Sequence, residues 1–175
     1  MFGIKNDSKK EARMIVKINI KNKVLHNYLA YLFHRDPDGS LRVTMRNEFG
    51  RLVVALVRRS PDEIPLEEGE FTASLHLPKN TLTKNAESSY LYFTAQDSAR
   101  LNVLLDTIFD LDLNAYYQKG CKRRIPKREI IEAFVVSRKL VADDFAETLS
   151  KRIYRKELTD FRELISSLYD KARYN

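Results

Sequence analysis

Apolar positions change their spacing along this chain, and each change marks an element. Met14 to Ile20 ends in an alternation of polar and β-branched residues, the period of a strand. Val24, Leu25, Tyr28, Leu29 and Leu32 then fall at helical spacing, predicting an amphipathic helix over 23–34 with Asn22 as its N-cap. Asp36-Pro37-Asp38-Gly39 predicts a turn, because proline presets φ and glycine accepts a left-handed conformation. Leu41-Arg42-Val43-Thr44 alternates again, as a short strand. Phe49, Leu52, Val53, Leu56 and Val57 form the stripe of a helix over 46–59, with a strand as the competing assignment for so valine-rich a run. Asn47 and Glu48 at its start and Arg58 and Arg59 at its end suit the helix dipole.

The second half reads differently. Residues 61–69 form an acidic loop, and Phe71, Ala73, Leu75 and Leu77 then alternate with Thr72, Ser74 and His76 as the clearest strand. Residues 78–89 are polar and read as a loop, and Tyr90–Phe93 as a short strand. Thr94 and Asp97 have capping-box spacing, with Asp replacing the usual Glu or Gln. Leu101, Leu104, Leu105, Ile108 and Phe109 follow as a helix face, which 112–117 continues or replaces with a second short helix. Gly120 punctuates, Pro126 suits a first helical turn, and Ile130, Ile131, Phe134 and Val135 mark a helix to about Leu140. With Asp143 or Asp144 as a cap, apolar residues from Ala146 to Tyr169 recur at steps of three and four. They predict one long helix over 144–172, or two broken at Thr159-Asp160.

Helices collect toward the C-terminus, so the expected class is α+β. A small mixed or antiparallel N-terminal sheet carries two helices, and a helical half ends in a long amphipathic helix. The expected divisions are a flexible lead-in over 1–12, an α+β domain over 13–120 and a helical subdomain over 121–175. No 20–50-residue repeat is visible. Hydrophobic residues make up 43% of the chain, enough for a core without tryptophan, and five glycines and five prolines argue against disorder.

Charge adds what hydropathy does not show. Residues 1–60 carry 13 Lys/Arg against 5 Asp/Glu, residues 61–118 carry 3 against 10, and residues 119–175 carry 15 against 9. This basic–acidic–basic layout suits a protein that meets a polyanion with its ends, and a net charge of +7 makes nucleic acid the leading partner, DNA ahead of RNA. Two tracts stand out. Lys122, Arg123, Arg124, Lys127 and Arg128 lie just before a predicted helix, whose N-terminus adds free N–H donors for phosphate. Lys151, Arg152, Arg155 and Lys156 lie on the last helix as two i,i+4 pairs, with Tyr154 among them, and are expected to share one exposed face. Helices 127–140 and 144–157 around a turn at Val141–Asp144 have the order of a helix-turn-helix, offering Thr148, Ser150, Arg152 and Arg155 to a groove. The turn lacks its usual glycine, and Asp143, Asp144 and Glu147 would repel phosphate. A third group, Lys9, Lys10, Arg13, Lys17, Lys21 and Lys23, has too few aromatics to be a stacking sheet and is explained by solubility.

Catalytic signatures are missing. His26, His34 and His76 are dispersed, there is no Cys-x-x-Cys pair, and no phosphate-cradling glycine loop is present. Asp106 and Asp110 share a helix face near Asp112, an arrangement commoner in solvated acidic faces than in Mg²⁺ sites. The lone Cys121 sits beside Lys122 and Arg123 without a His or Asp partner in view. The expectation is a non-enzymatic, cofactor-free, regulatory protein of the cytoplasm: the first residues are too charged for a signal peptide and no apolar run can span a bilayer. The alternative is an interaction or homodimerisation module using the C-terminal helix through Phe161, Leu164, Ile165 and Leu168. A third option pairs the acidic middle with the basic ends within one molecule.

Overall fold

A computed structural model describes residues 14–79, 89–140 and 145–173, with residue 161 and residues 164–173 described by backbone alone. The expected lead-in over 1–12, most of the 78–89 loop and the turn at Val141–Asp144 lie outside the described residues. The chain divides into two compact units, with the boundary in sequence between Leu111 and Asp112. The fold is α+β, as hydropathy predicts.

In the first unit, β1 (Ile15–Asn19) leads to α1 (Lys23–Leu32), then to the short strands β2 (His34–Arg35) and β3 (Leu41–Arg42). α2 (Glu48–Leu56), β4 (Arg58–Ser60), β5 (Thr72–His76) and β6 (Tyr90–Tyr92) follow. The four-stranded sheet has the order β1-β5-β3-β2 and is mixed: β1/β5 and β2/β3 run antiparallel and β3/β5 parallel. The strand register puts Val16 opposite Leu75 and Ile18 opposite Ala73, all four buried. Their alternation therefore faces the core, where Leu25, Tyr28 and Leu29 of α1 and Phe49, Val53 and Val54 of α2 are also buried. β4 and β6 form a separate two-stranded ribbon.

Local chemistry explains most boundaries. Asn22 Oδ1 accepts from Leu25 N at 3.0 Å, and Asn47 Oδ1 from Gly50 N at 2.7 Å, so both helices start at an asparagine cap. The predicted turn forms, with Gly39 at φ +87° and its N–H on Asp36 O at 2.9 Å. Two expectations need correcting. α1 stops at Leu32 because Phe33 turns extended and the chain enters β2. α2 stops at Leu56, so Arg58 and Arg59 are not helix-end cations. They lie in β4, opposite Tyr92 and Leu91 of β6.

α3 (Ala95–Lys122) is a single helix of 28 residues, so 112–117 continues it. Thr94 Oγ1 accepts from Asp97 N at 3.1 Å as the expected cap, and the Asp97 carboxylate in turn accepts from the Thr94 hydroxyl at 2.6 Å. The aspartate, 1% exposed, also accepts from Arg58 Nε at 2.8 Å. That guanidinium, with Thr94, holds the Asp97 carboxyl below the usual range. Leu101, Leu105 and Phe109 are buried in the first unit, where the Phe109 ring meets Tyr28 edge-on at 5.0 Å.

The second unit contains the rest of α3, α4 (Lys127–Ser137) and α5 (Phe145–Arg173). α5 is unbroken, and Thr159, one of the suspected breakers, returns its hydroxyl to Arg155 O at 3.0 Å. Among the described residues, the second unit buries Leu113, Tyr117, Ile130, Ile131, Phe134, Leu140, Phe145 and Leu149. No described helix is long and apolar enough to cross a membrane.

Candidate nucleic-acid interface

The site follows from how the three helices of the second unit are tied. Arg138, just past α4, donates to both oxygens of Asp112 on α3 at 2.7 Å each. Its guanidinium lies 5.2 Å from the Phe134 ring centroid and 5.5 Å from that of Tyr116, beside an edge-on pair of rings whose centroids are 5.5 Å apart. Lys127, at the start of α4, lies 3.0 Å from both carboxylate oxygens of Glu157 on α5. Tyr117 of α3 donates to the same carboxylate at 3.1 Å, so one glutamate joins all three helices. Burial pushes the Tyr117 phenol above its ordinary pKa, and Glu157 raises that of the Lys127 ammonium.

These ties bring the two basic tracts together. Glu157 directly follows Lys156, and Lys127 directly follows the turn that holds Arg123 and Arg124, so the ion pair fixes both tracts at one end of the unit. Lys122 closes α3, where it and Lys119 complement the helix dipole. Past it, Arg124 N donates to Cys121 O at 2.9 Å and Ile125 N to Gly120 O at 3.2 Å. This is the bonding of a Schellman cap, and it places Arg124 in the left-handed region at φ +58°. α4 ends the same way: Lys139 N reaches Val136 O, Leu140 N reaches Val135 O, and Lys139 has φ +53°. Both caps put a cation where glycine is usual.

The nine candidate cations separate by partner. Lys122, Arg123, Arg124, Arg155 and Lys156 are exposed, and none has an anionic partner among the described residues. Lys127 is committed to Glu157, Arg128 to Glu132 at 2.7 Å and Lys151 to Glu147 at 2.6 Å. The last two are exposed i,i+4 pairs that an incoming phosphate can exchange at small cost. Arg152 is half-buried and engaged, which corrects the expectation of four cations on one open face. Its position follows Leu149 and precedes Ile153 on the side of α5 turned to the core. Of the other groove candidates, Thr148 and Ser150 are exposed, and Ser150 returns its hydroxyl to Ala146 O at 2.7 Å.

Elsewhere part of the acidic middle is occupied. Lys17 pairs with Glu68, Lys21 with Asp106 at 3.4 Å, Arg58 with Asp97, and Arg138 with Asp112. The first three neutralise part of the N-terminal basic excess within the first unit. Asp106 is thereby turned to an ammonium, and no group of three metal-ligating side chains gathers among the described residues. His76 and His34 flank Arg42 across the sheet, a row sequence spacing did not reveal. Asp36 accepts from Arg42 and lies 3.6 Å from His76 Nδ1. Buried Ser40 donates to Asp38 at 2.7 Å, so its hydroxyl proton is directed to a carboxylate. A groove of about 700 Å³ on the first unit, lined by Lys17, Ser74, Leu66, Tyr90 and Tyr92 among others, contains none of the nine cations. No family model, curated protein or solved structure matches the chain.

Proposed function

We propose that this protein binds nucleic acid, DNA ahead of RNA, by gripping phosphates with the basic end of its C-terminal unit. The observation that carries the reading is the Lys127–Glu157 tie. It gathers two tracts far apart in sequence and leaves Lys122, Arg123, Arg124, Arg155 and Lys156 exposed without anionic partners among the described residues. Cations carried on helices or a helix cap without a described anionic partner have a fixed backbone on meeting phosphate and release counterions as they do. The binding is regulatory and not catalytic.

Fluorescence polarisation with labelled oligonucleotides tests this directly. Binding at low salt should weaken with a log–log salt slope of roughly −2 to −3.5 on a single strand, or −3 to −4.5 on a duplex, if three to five phosphates are engaged. Arg123→Glu with Arg124→Glu should reduce affinity about tenfold or more for every sequence alike and flatten that slope. Absence of binding to any DNA or RNA at low salt would overturn the reading.

One feature favours a second reading. α4 begins where Lys127 meets Glu157, so residues 158–173 of α5 continue past it, a length of helix suited to pairing with a second copy. Sedimentation showing a salt-insensitive dimer indifferent to DNA would favour that reading instead.

A further inference from the structure

We infer that Tyr154 is a stacking post for an unpaired base, so that the nucleic acid held by this unit is single-stranded or locally unpaired. The inference rests on the nucleic-acid reading and goes beyond it, because phosphate contacts alone do not distinguish strand from duplex.

Tyr154 is 61% exposed, the most exposed aromatic side chain among the described residues. The other exposed tyrosines differ from it. Tyr31 stacks on Tyr28 with ring centroids 5.5 Å apart, and Tyr90 has interactions of its own. The Tyr154 ring and phenol have no partner among the described residues. It projects from the middle of α5, whose Leu149 is buried and whose Ile153 is half-buried, so its backbone is fixed.

Its surroundings have the composition such a contact needs. Lys151 lies one turn before it, Arg155 adjoins it, and Leu158, also exposed, lies one turn after. Lys151 is held only by an exposed pair with Glu147, and Arg155 has no anionic partner among the described residues. A base on the tyrosine face would therefore have its flanking phosphates within reach of two cations and its sugar beside an apolar side chain. Stacking of this kind tolerates any base, because every base has a π face. A paired base inside a duplex cannot offer that face without leaving its stack. The ring has few rotatable bonds, so little entropy is lost when it is fixed.

The chain contains no tryptophan, so Tyr154→Trp in the full-length protein creates a sole indole reporter at this position. Titration with a single-stranded DNA, the RNA of the same sequence and the matching duplex should quench that emission with either strand and much less with the duplex. In polarisation, Tyr154→Ala should weaken single-strand binding about tenfold and duplex binding little, while Tyr154→Phe keeps near-native affinity. Because the side chain is exposed, these variants should fold, which circular dichroism checks. Strand binding indifferent to Tyr154→Ala but weakened by Arg123→Glu with Arg124→Glu overturns the stacking role and leaves the phosphate reading standing. Binding of duplex but not of strand does the same. Failure of all three polymers to bind at low salt overturns both.

Discussion

Arg124 and Lys139 hold the least comfortable backbone conformations among the described residues. A left-handed residue other than glycine costs roughly 1–2 kcal/mol, from the crowding of its Cβ against the following carbonyl. Arg124→Gly should therefore stabilise the protein by about 0.5–1 kcal/mol, after glycine's greater loss of freedom on folding is set against the relief. Thermal or urea unfolding checks this, and the same variant should bind nucleic acid more weakly because an unpaired cation is gone. A gain in stability with unchanged affinity would show that Arg124 serves the cap alone. Neither position was legible in the sequence, where a helix end is recognised by the glycine these caps lack. The asparagine caps and the Asp36–Gly39 turn were legible, because there the side chain itself makes the bond or frees the backbone. The pairing of Arg58 with Asp97 was hidden, since only the folded ribbon sets β4 beside the start of α3.

At the scale of elements, Gly120 controls how closely α3 and α4 approach. A Cβ built there would lie 2.5 Å from Ile130 Cγ1 and 3.0 Å from Cγ2, branch atoms fixed close to the α4 backbone. Gly120→Ala gains helix propensity of about 1 kcal/mol but must push the helices apart, and overpacking of this kind costs roughly 1–3 kcal/mol. The expected net result is destabilisation. Adding Ile130→Ala should cost less in this background than in the native chain, a coupling that a double-mutant cycle measures. In the sequence, Gly120 reads as punctuation. In the fold it lies inside α3, in contact with the next helix. Long stripes such as Leu101 to Phe109 were legible because many positions agree on one period. The short strands β3 and β6 were legible within the runs 41–44 and 90–93, whereas β2 and β4 were not, since they lie at the ends of segments whose spacing reads as helix.

Across the whole molecule, the segregated charge divides between two uses. Part of the N-terminal excess is neutralised by the acidic middle through Lys17, Lys21 and Arg58, and Arg138 answers Asp112 in the second unit. Lys122, Arg123 and Arg124 at the C-terminal end of α3 and Arg155 and Lys156 on α5 have no anionic partner among the described residues. Sequence alone located both basic tracts but could not show which of their members already have partners, because pairs such as Lys127 and Glu157 are separated by a helix and a turn. The single thiol gives the second unit a means of being observed by itself. Cys121 is half-buried in the last turn of α3, one turn after Tyr117, whose hydroxyl donates to Glu157 at the helix junction. A thiol reagent must wait for that junction to open, so the labelling rate times its breathing without any engineered probe. Glu157→Gln should speed labelling several-fold, and a bound oligonucleotide that braces the basic end should slow it. A rate indifferent to both would mean that the thiol is reached through side-chain motion alone, with the three helices still closed.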